Sequence, residues 1–212
     1  MAAAHPQPDS GDTLGLLGRV EAGDAAAAGE LLARHRPALV AFVGGRLDPA
    51  VRTRVDASDV AQEALAEMAR RLPDFLERRP MPFHLWARKT AYERLLKIRR
   101  AHRADCRDVG REEGGLAPSA VALARSLAAP EPTASEAAEA REVADQVAAA
   151  VKGLAEADRE ILVLRHVDGL SHVEAGLLLG VDPAAARQRY GRALFRLQRA
   201  LRESGVLEKC DE

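Results

Sequence analysis

Five residues near the C-terminus, Ser171, Glu174, Gly180, Asp182 and Pro183, restrict the fold more than any other group in the chain. Ser171 with Glu174 three positions on is a capping box, in which each side chain satisfies an otherwise orphaned amide at a helix start. Gly180 is a helix stop, and Asp182-Pro183 is a second start, with Asp as N-cap and Pro at the first helical position, where its missing N–H costs nothing. The spacing therefore predicts a short helix, a tight turn and a longer helix. Upstream, Ile161, Leu162, Leu164 and Val167 recur at helical spacing after Asp158, a candidate N-cap, and Gly169 closes that element. The long last helix is two-faced. Arg189, Arg192, Arg196 and Arg199 form one stripe, Tyr190, Leu194, Leu197 and Leu201 the next, and no acidic residue lies between Asp182 and Glu203. A helix apolar on one stripe and cationic beside it suits contact with a polyanion. The plainer alternative is the solvated face of an ordinary bundle, which the preceding capped helix and tight turn disfavour.

Aromatics are only 3% of the 212 residues while apolar residues reach 47%, mostly Ala and Leu, so the expected fold class is all-α. The formal net charge is −1 with 30% charged residues, so any nucleic-acid role must come from segregated charge. Charge is segregated. Asp9, Asp12, Glu21, Asp24 and Glu30 face only Arg19 in the first thirty residues, whereas Arg88, Lys89, Arg94, Lys97, Arg99, Arg100, Arg103, Arg107 and Arg111 crowd the centre. The two cysteines, Cys106 and Cys210, lack a partner at metal-binding spacing, so no metal or disulfide framework is expected. Scattered histidines and the lack of a Gly-rich phosphate loop or a triad order argue against an enzyme, so no catalytic residue, cofactor or small-molecule substrate is expected. Without a signal-peptide pattern or a long apolar run, a cytoplasmic protein without membrane insertion is expected.

Along the chain, Leu14, Leu16, Leu17 and Val20 open a first helix that Gly23-Asp24 breaks. A second carries Leu31, Leu39 and Phe42, with Pro37 marking a kink or boundary and Gly44-Gly45 its end. Asp56 starts a third, with Asp59 as its capping-box partner and Val60, Ala64, Leu65, Met68 and Leu72 as its apolar stripe. Pro73 to Pro82 reads as a Pro-rich connection, followed by a helix from about Phe83 into the central basic segment. Residues 12–108 form a first domain, 109–136 a flexible linker with one short helix over Val121–Leu127, and 137–204 a second domain.

DASDVAQEAL, FHLWARKTAYERLLKIRR and LAEADREILVLRHVDGLSHVEAGLLLGVDPAAARQRYGRALFRL, in this order and spacing, resemble the sigma subunits of bacterial RNA polymerase, specifically the compact extracytoplasmic-function (ECF) group. The likeness covers roughly Leu14 to His102 and Ala137 to Arg202. It implies that the first domain is sigma region 2, which binds core RNA polymerase and reads and melts the −10 promoter element. The second would be sigma region 4, whose helix-turn-helix reads the −35 element. Core polymerase and promoter DNA are the implied partners, and an anti-sigma factor is compatible with the resemblance.

Physical chemistry supplies the implied roles. Asp56, Asp59, Gln62 and Glu63 would offer carboxylates and an amide to a basic partner helix; the competing role for the two aspartates is capping. Opening DNA needs aromatic faces beside cations. Trp86, with Arg88, Lys89, Lys97, Arg100 and Arg103, is the set expected at the −10 element, although core burial competes for Trp86 and Phe83. The Pro73–Pro82 connection is the candidate for holding a flipped base. At the −35 element, Arg187 and Gln188 suit guanine and adenine edges, and Ala184 and Ala185 could touch only a thymine methyl. Arg189 and Arg192 suit phosphates. Arg196, Arg199 and Arg202 are expected to face solvent or polymerase.

Three positions depart from the family pattern. Glu93 stands where Asn is common and Lys97 where Asp is common, and Glu93 would need a cation, Lys89 or Lys97 on its own helix, to sit near phosphate. Gly176 replaces a usual Ala, which on propensity alone weakens its helix by about 1 kcal/mol. A helix-turn-helix regulator explains the second domain but gives DASDVAQEAL no role; a polymerase-binding protein that does not initiate by itself is the other alternative.

Overall fold

The computed structural model describes residues 9–105, 116–127 and 137–206, with side chains for 9–102, 116–127 and 141–206. Every regular element among the described residues is helical. Residues 9–105 fall in one compact unit, and 116–127, 137–176 and 180–206 in another.

The first unit holds α1 (Gly11–Glu21), α2 (Ala25–Arg46), the short α3 (Pro49–Arg52), α4 (Ala57–Arg78) and α5 (Phe83–Asp105). Asp24 accepts the amides of Ala26 and Ala27, which fixes the start of α2. Helices α2, α4 and α5 pack on one another and α1 covers α2. Leu31, Leu39 and Val43 of α2 meet Val60, Ala64 and Met68 of α4 and Leu85, Ala91 and Leu95 of α5 in a buried core. Burying each large apolar side chain contributes about 1.5–3 kcal/mol.

This core overrides two local signals. Pro37 lies exposed inside an unbroken α2, which ends at Arg46, directly after Gly44-Gly45 as expected. That last residue turns inward, with its guanidinium 3.8 Å from the Phe42 ring centroid. Likewise α4 runs through Pro73 to Arg78, so the connection expected over Pro73–Pro82 shrinks to residues 79–82. Pro73 costs one backbone bond, and Leu72 and Phe75, buried on either side of it, hold the helix together. Arg79, at φ 37°, makes the left-handed stop, and its amide donates to the Phe75 carbonyl at 2.7 Å.

The second unit comprises α6 (Pro118–Leu127), α7 (Ala137–Gly153), α8 (Glu156–His166), α9 (His172–Leu179) and α10 (Pro183–Glu203). Helix α6 packs on α7 and α8, burying Leu123, so it belongs to this unit's core rather than to a linker. The expected boundary at 137 thus moves upstream to include it. Val147, Val151, Ile161, Leu162, Leu164, Ala193 and Leu197 complete the core. The sequence-derived caps of the last two helices are realised. The Ser171–Glu174 capping box closes in both directions, at 2.7 and 3.2 Å. Gly180 stops α9 at φ 68°, and Asp182 accepts the Ala185 amide at 2.8 Å.

Asp158 is different. Helix α8 starts earlier, with Ala155 at its N-cap position and no side-chain cap, and Asp158 sits in the first turn, buried.

Candidate protein-docking and nucleic-acid interfaces

The amphipathic period of α4 turns Val60, Ala61, Ala64 and Leu65 inward and leaves Asp56, Asp59, Gln62 and Glu63 exposed. The four expected docking residues therefore share the solvent side, but not equally. Asp56 uses its carboxylate on the Ser58 amide at 2.6 Å, so it is the helix cap, and Asp59 is no part of that bond. Ser58 in turn accepts from Arg36 at 2.9 Å. Glu63 is ion-paired with Arg94 of α5. Asp59 and Gln62 are the polar groups of this face best placed for a partner.

On α5 the expectation for Trp86 is corrected. Its ring is 5% exposed, stacked on Phe75 at 4.5 Å and tilted against Phe83 at 5.6 Å, so it is a core residue. The apolar side of α5 claims it, and a base could reach it only by opening the unit. Arg88 and Lys89 are half-buried, with the Arg88 guanidinium 5.9 Å from the Phe42 ring. Lys97 and Arg100 are exposed, while the side chain of Arg103 lies outside those described.

Glu93 has a cation, though not the one expected. Its carboxylate lies 3.9 Å from Arg71 of α4 rather than against Lys89 or Lys97. The two helices thus enclose a charged cleft of about 270 Å³, lined by Glu63, Glu67, Arg70, Arg71, Glu93, Arg94 and Lys97. Arg70 and Arg71 were not singled out from the sequence, and Arg94 only as one of the cations of the central basic segment. The available signal was the i, i+4, i+7, i+8 spacing of Glu63, Glu67, Arg70 and Arg71.

The start of α5 is fixed from far away in sequence. Asp9 accepts from the amides of Phe83 and His84, at 2.7 and 2.9 Å, and contacts His84 Nδ1 at 3.0 Å. Burial pushes the Asp9 carboxyl up, but the bonds from His84 and Phe83 together outweigh it and hold the group below its ordinary 3.8. Nearby, His35 Nε2 lies 3.3 Å from Thr13 Oγ1 and its ring meets Phe83 edge-on at 4.9 Å.

In the second unit the opening turns of α10 present Ala184, Arg187, Gln188 and Arg192 exposed, with Ala185 and Arg189 half-buried. Arg196 is exposed, as expected, and in addition pairs with the buried Asp158, a partner the sequence did not name. Tyr190 joins α10 to the rest of the motif. Its hydroxyl lies 3.1 Å from His166 Nε2, the His172 ring is 5.1 Å away, and Arg165 sits 5.7 Å from its centroid. Burial first, then the Arg165 charge, lowers the proton affinity of both imidazoles, with Arg187 adding to the effect on His172. Phe195 is 66% exposed on the same helix, an apolar side chain that no periodicity argument had flagged.

Gly176 is also corrected. A Cβ there would lie 2.8 Å from the Val181 carbonyl oxygen, so this position needs glycine to let α9 close against the turn.

Among the described residues no cluster of His, Cys, Asp or Glu could hold a metal, and no helix is long and apolar enough to cross a membrane.

A sequence-family model described as Sigma-70, region 4 matches residues 144–203, which span the end of α7 through α10. RNA polymerase sigma factor CnrH of Cupriavidus metallidurans is 29% identical over 194 residues, 92% of this chain and 96% of the relative. ECF RNA polymerase sigma factor SigD of Mycobacterium tuberculosis is 32% identical over 177 residues, covering 84% of this chain and 78% of the relative. ShbA of Streptomyces griseus, also an ECF RNA polymerase sigma factor, is 31% identical over 208 residues, 89% and 94% of the two chains. The fold is similar to that of CnrH solved in complex with the cytosolic domain of CnrY, with a TM-score of 0.54 at 23% identity over 92% of this chain and 99% of that one. Relatives above 30% identity that align along most of both lengths carry the likeness well beyond the terminal helix-turn-helix, and the chain belongs to the ECF RNA polymerase sigma factors.

Proposed function

We propose that this sigma factor docks on core RNA polymerase through the Asp59–Gln62–Glu63 face of α4 and directs initiation by gripping promoter DNA twice. The first grip is at the −10 element, by α5 and the 79–82 connection, with Lys89, Lys97 and Arg100 on the backbone. The second is at the −35 element, by the opening turns of α10. One observation carries the reading: separate units of one chain hold a carboxylate-and-amide face on α4 and a row of guanidinium groups on α10, both exposed. The first suits a basic protein helix and the second suits DNA. Arg187 and Gln188 would read base edges while Arg189 and Arg192 fix the register on phosphates. The cytoplasm, where polymerase works, is the implied compartment. CnrH is solved with the cytosolic domain of CnrY, and on that likeness a protein partner of anti-sigma type is proposed here as well.

Core polymerase reconstituted with the purified chain, and presented with genomic fragments, should select a common pair of elements and yield run-off transcripts starting downstream of them. Failure to bind core overturns the reading; core binding without transcription restricts the chain to a non-initiating partner of polymerase.

A further inference from the structure

The α4–α5 cleft contains three ion pairs, Arg70 with Glu67 within α4, and Arg71 with Glu93 and Arg94 with Glu63 across the two helices. Only one of their carboxylates, Glu63, also belongs to the face of α4 assigned to polymerase. Its partner Arg94 stands three positions before Lys97 and six before Arg100, so the three cations follow one stripe of α5. Lys97 and Arg100 are exposed on that stripe, and among the described residues Lys97 is in no ion pair. Arg94 is the one of the three held in a close ion pair among the described residues, while Lys97 meets only the more distant charge of Glu67 across the cleft.

We infer that Arg94 is a further DNA-backbone contact, masked by Glu63 until polymerase takes Glu63 for itself. This rests on the reading of α4 as the docking face. The pair is built to exchange. Its side chains are 42% and 50% exposed, so water replaces either partner at little cost, and exposed pairs of this kind change populations only a few-fold. A cationic helix laid on α4 competes for the Glu63 carboxylate. The released guanidinium then lengthens the Lys97–Arg100 stripe by one turn, where a phosphate can take it. The other two pairs are unaffected by docking because neither Glu67 nor Glu93 lies on that face. Linkage makes the effect reciprocal: whatever factor polymerase adds to DNA affinity through Arg94, DNA returns to polymerase affinity.

The test uses the full-length chain and its Glu63→Gln, Arg94→Gln and doubly substituted forms, with an oligo-thymidylate single strand as probe. All substituted groups are exposed, so folding is not at stake. Without polymerase, Glu63→Gln should bind the strand roughly two- to fivefold more tightly than the unaltered chain. Its salt dependence should steepen by about 0.7, one phosphate's worth for a single strand. In the Arg94→Gln background the same Glu63 change should do nothing, which separates unmasking from a general loss of negative charge. With core polymerase present, Arg94→Gln should weaken the strand several-fold. If Glu63→Gln tightens DNA binding equally with and without Arg94, or not at all, the masking is refuted while docking stands. If Glu63→Gln leaves core binding unchanged, polymerase does not take Glu63 and the masking fails; if Asp59 and Gln62 changed together also leave it unchanged, the docking assignment fails as well.

Discussion

Arg196 of α10 closes an ion pair on Asp158 of α8, whose side chain is only 7% exposed, while the arginine side chain remains 54% exposed. The contact ties the middle of α10, the helix proposed to face DNA, to α8, between residues 38 positions apart. It gives Arg196 a structural role although it lies on the cationic stripe. Removing the guanidinium strands a buried carboxylate, so Arg196→Ala should destabilise the second unit by about 1–3 kcal/mol. Arg199 pairs with Glu203 in the open, so Arg199→Ala should cost under about 0.5 kcal/mol. Urea unfolding of the two variants followed by circular dichroism checks this; equal costs would show that Arg196 anchors nothing.

Gly176 yields a prediction opposite in sign to helix propensity. Alanine would gain about 1 kcal/mol inside an isolated helix. Here its methyl would press on the Val181 carbonyl, which already accepts no room to shift because the Val181 amide donates back to the Gly176 carbonyl at 3.0 Å. Overpacking against backbone costs about 1–3 kcal/mol, so Gly176→Ala should be net destabilising and should lower −35 affinity by misplacing α10. A variant at least as stable as the parent would show that the turn yields freely.

Acid should loosen the first unit in two stages. Burial is the main reason the proton affinity of His35 is lowered from its ordinary 6.5, with the charges of His84, Arg34 and Arg88 adding to it and that of Asp9 opposing. As pH falls below 6.5, the unfolded chain takes up a proton that the folded His35 refuses, so stability is lost until the folded imidazole also protonates. Asp9, held below 3.8, keeps its contribution above that value and loses it as pH falls through its folded-state value. Trp86 is the only tryptophan and is buried in this unit, so its fluorescence reports the unit's unfolding. The urea midpoint should be lower at pH 5.5 than at 7.5, and His35→Leu should flatten the difference. An unchanged slope in that variant would remove His35 from the account.

What the sequence disclosed and what it hid follow one physical division. The Ser171–Glu174 box, the Gly180 stop and the Asp182-Pro183 start are local, made by residues within a turn of each other, and they appear as read. Pro37 and Pro73 are local breakers overruled by non-local burial of Leu39, Phe42, Leu72 and Phe75. The partners of Glu93, Glu63, Asp158 and Asp9 each lie on another element, so no spacing rule within one helix could name them. Trp86 shows the same division at the candidate site: its place in a basic segment suggested DNA, and its place on the helix's apolar face decided for the core. The apolar stripe read from the sequence was Tyr190, Leu194, Leu197 and Leu201, whereas Ala186, Ala193 and Leu197 are the buried residues of α10 and Phe195 is exposed. Exposure of Arg187, Gln188 and Arg192 was therefore legible only in outline.

That exposure separates two adjacent arginines. Arg187 lies five residues into the region after the Asp182 cap and is exposed beside Gln188, at the end of α10 that enters a major groove in this kind of motif. Arg189 is half-buried, which suits a fixed charge on the phosphate backbone more than an adaptable fork on a base. Arg187→Ala should therefore cost about 1–3 kcal/mol on the preferred −35 element and relax a single base position. Arg189→Ala should weaken all sequences alike and reduce the salt slope by about 0.9, one duplex phosphate's worth. Holoenzyme binding to a −35 library at two salt concentrations distinguishes them. A base preference lost with Arg189 and a salt slope lost with Arg187 would exchange the two roles, and would mean that Arg189, not Arg187, is what the groove receives.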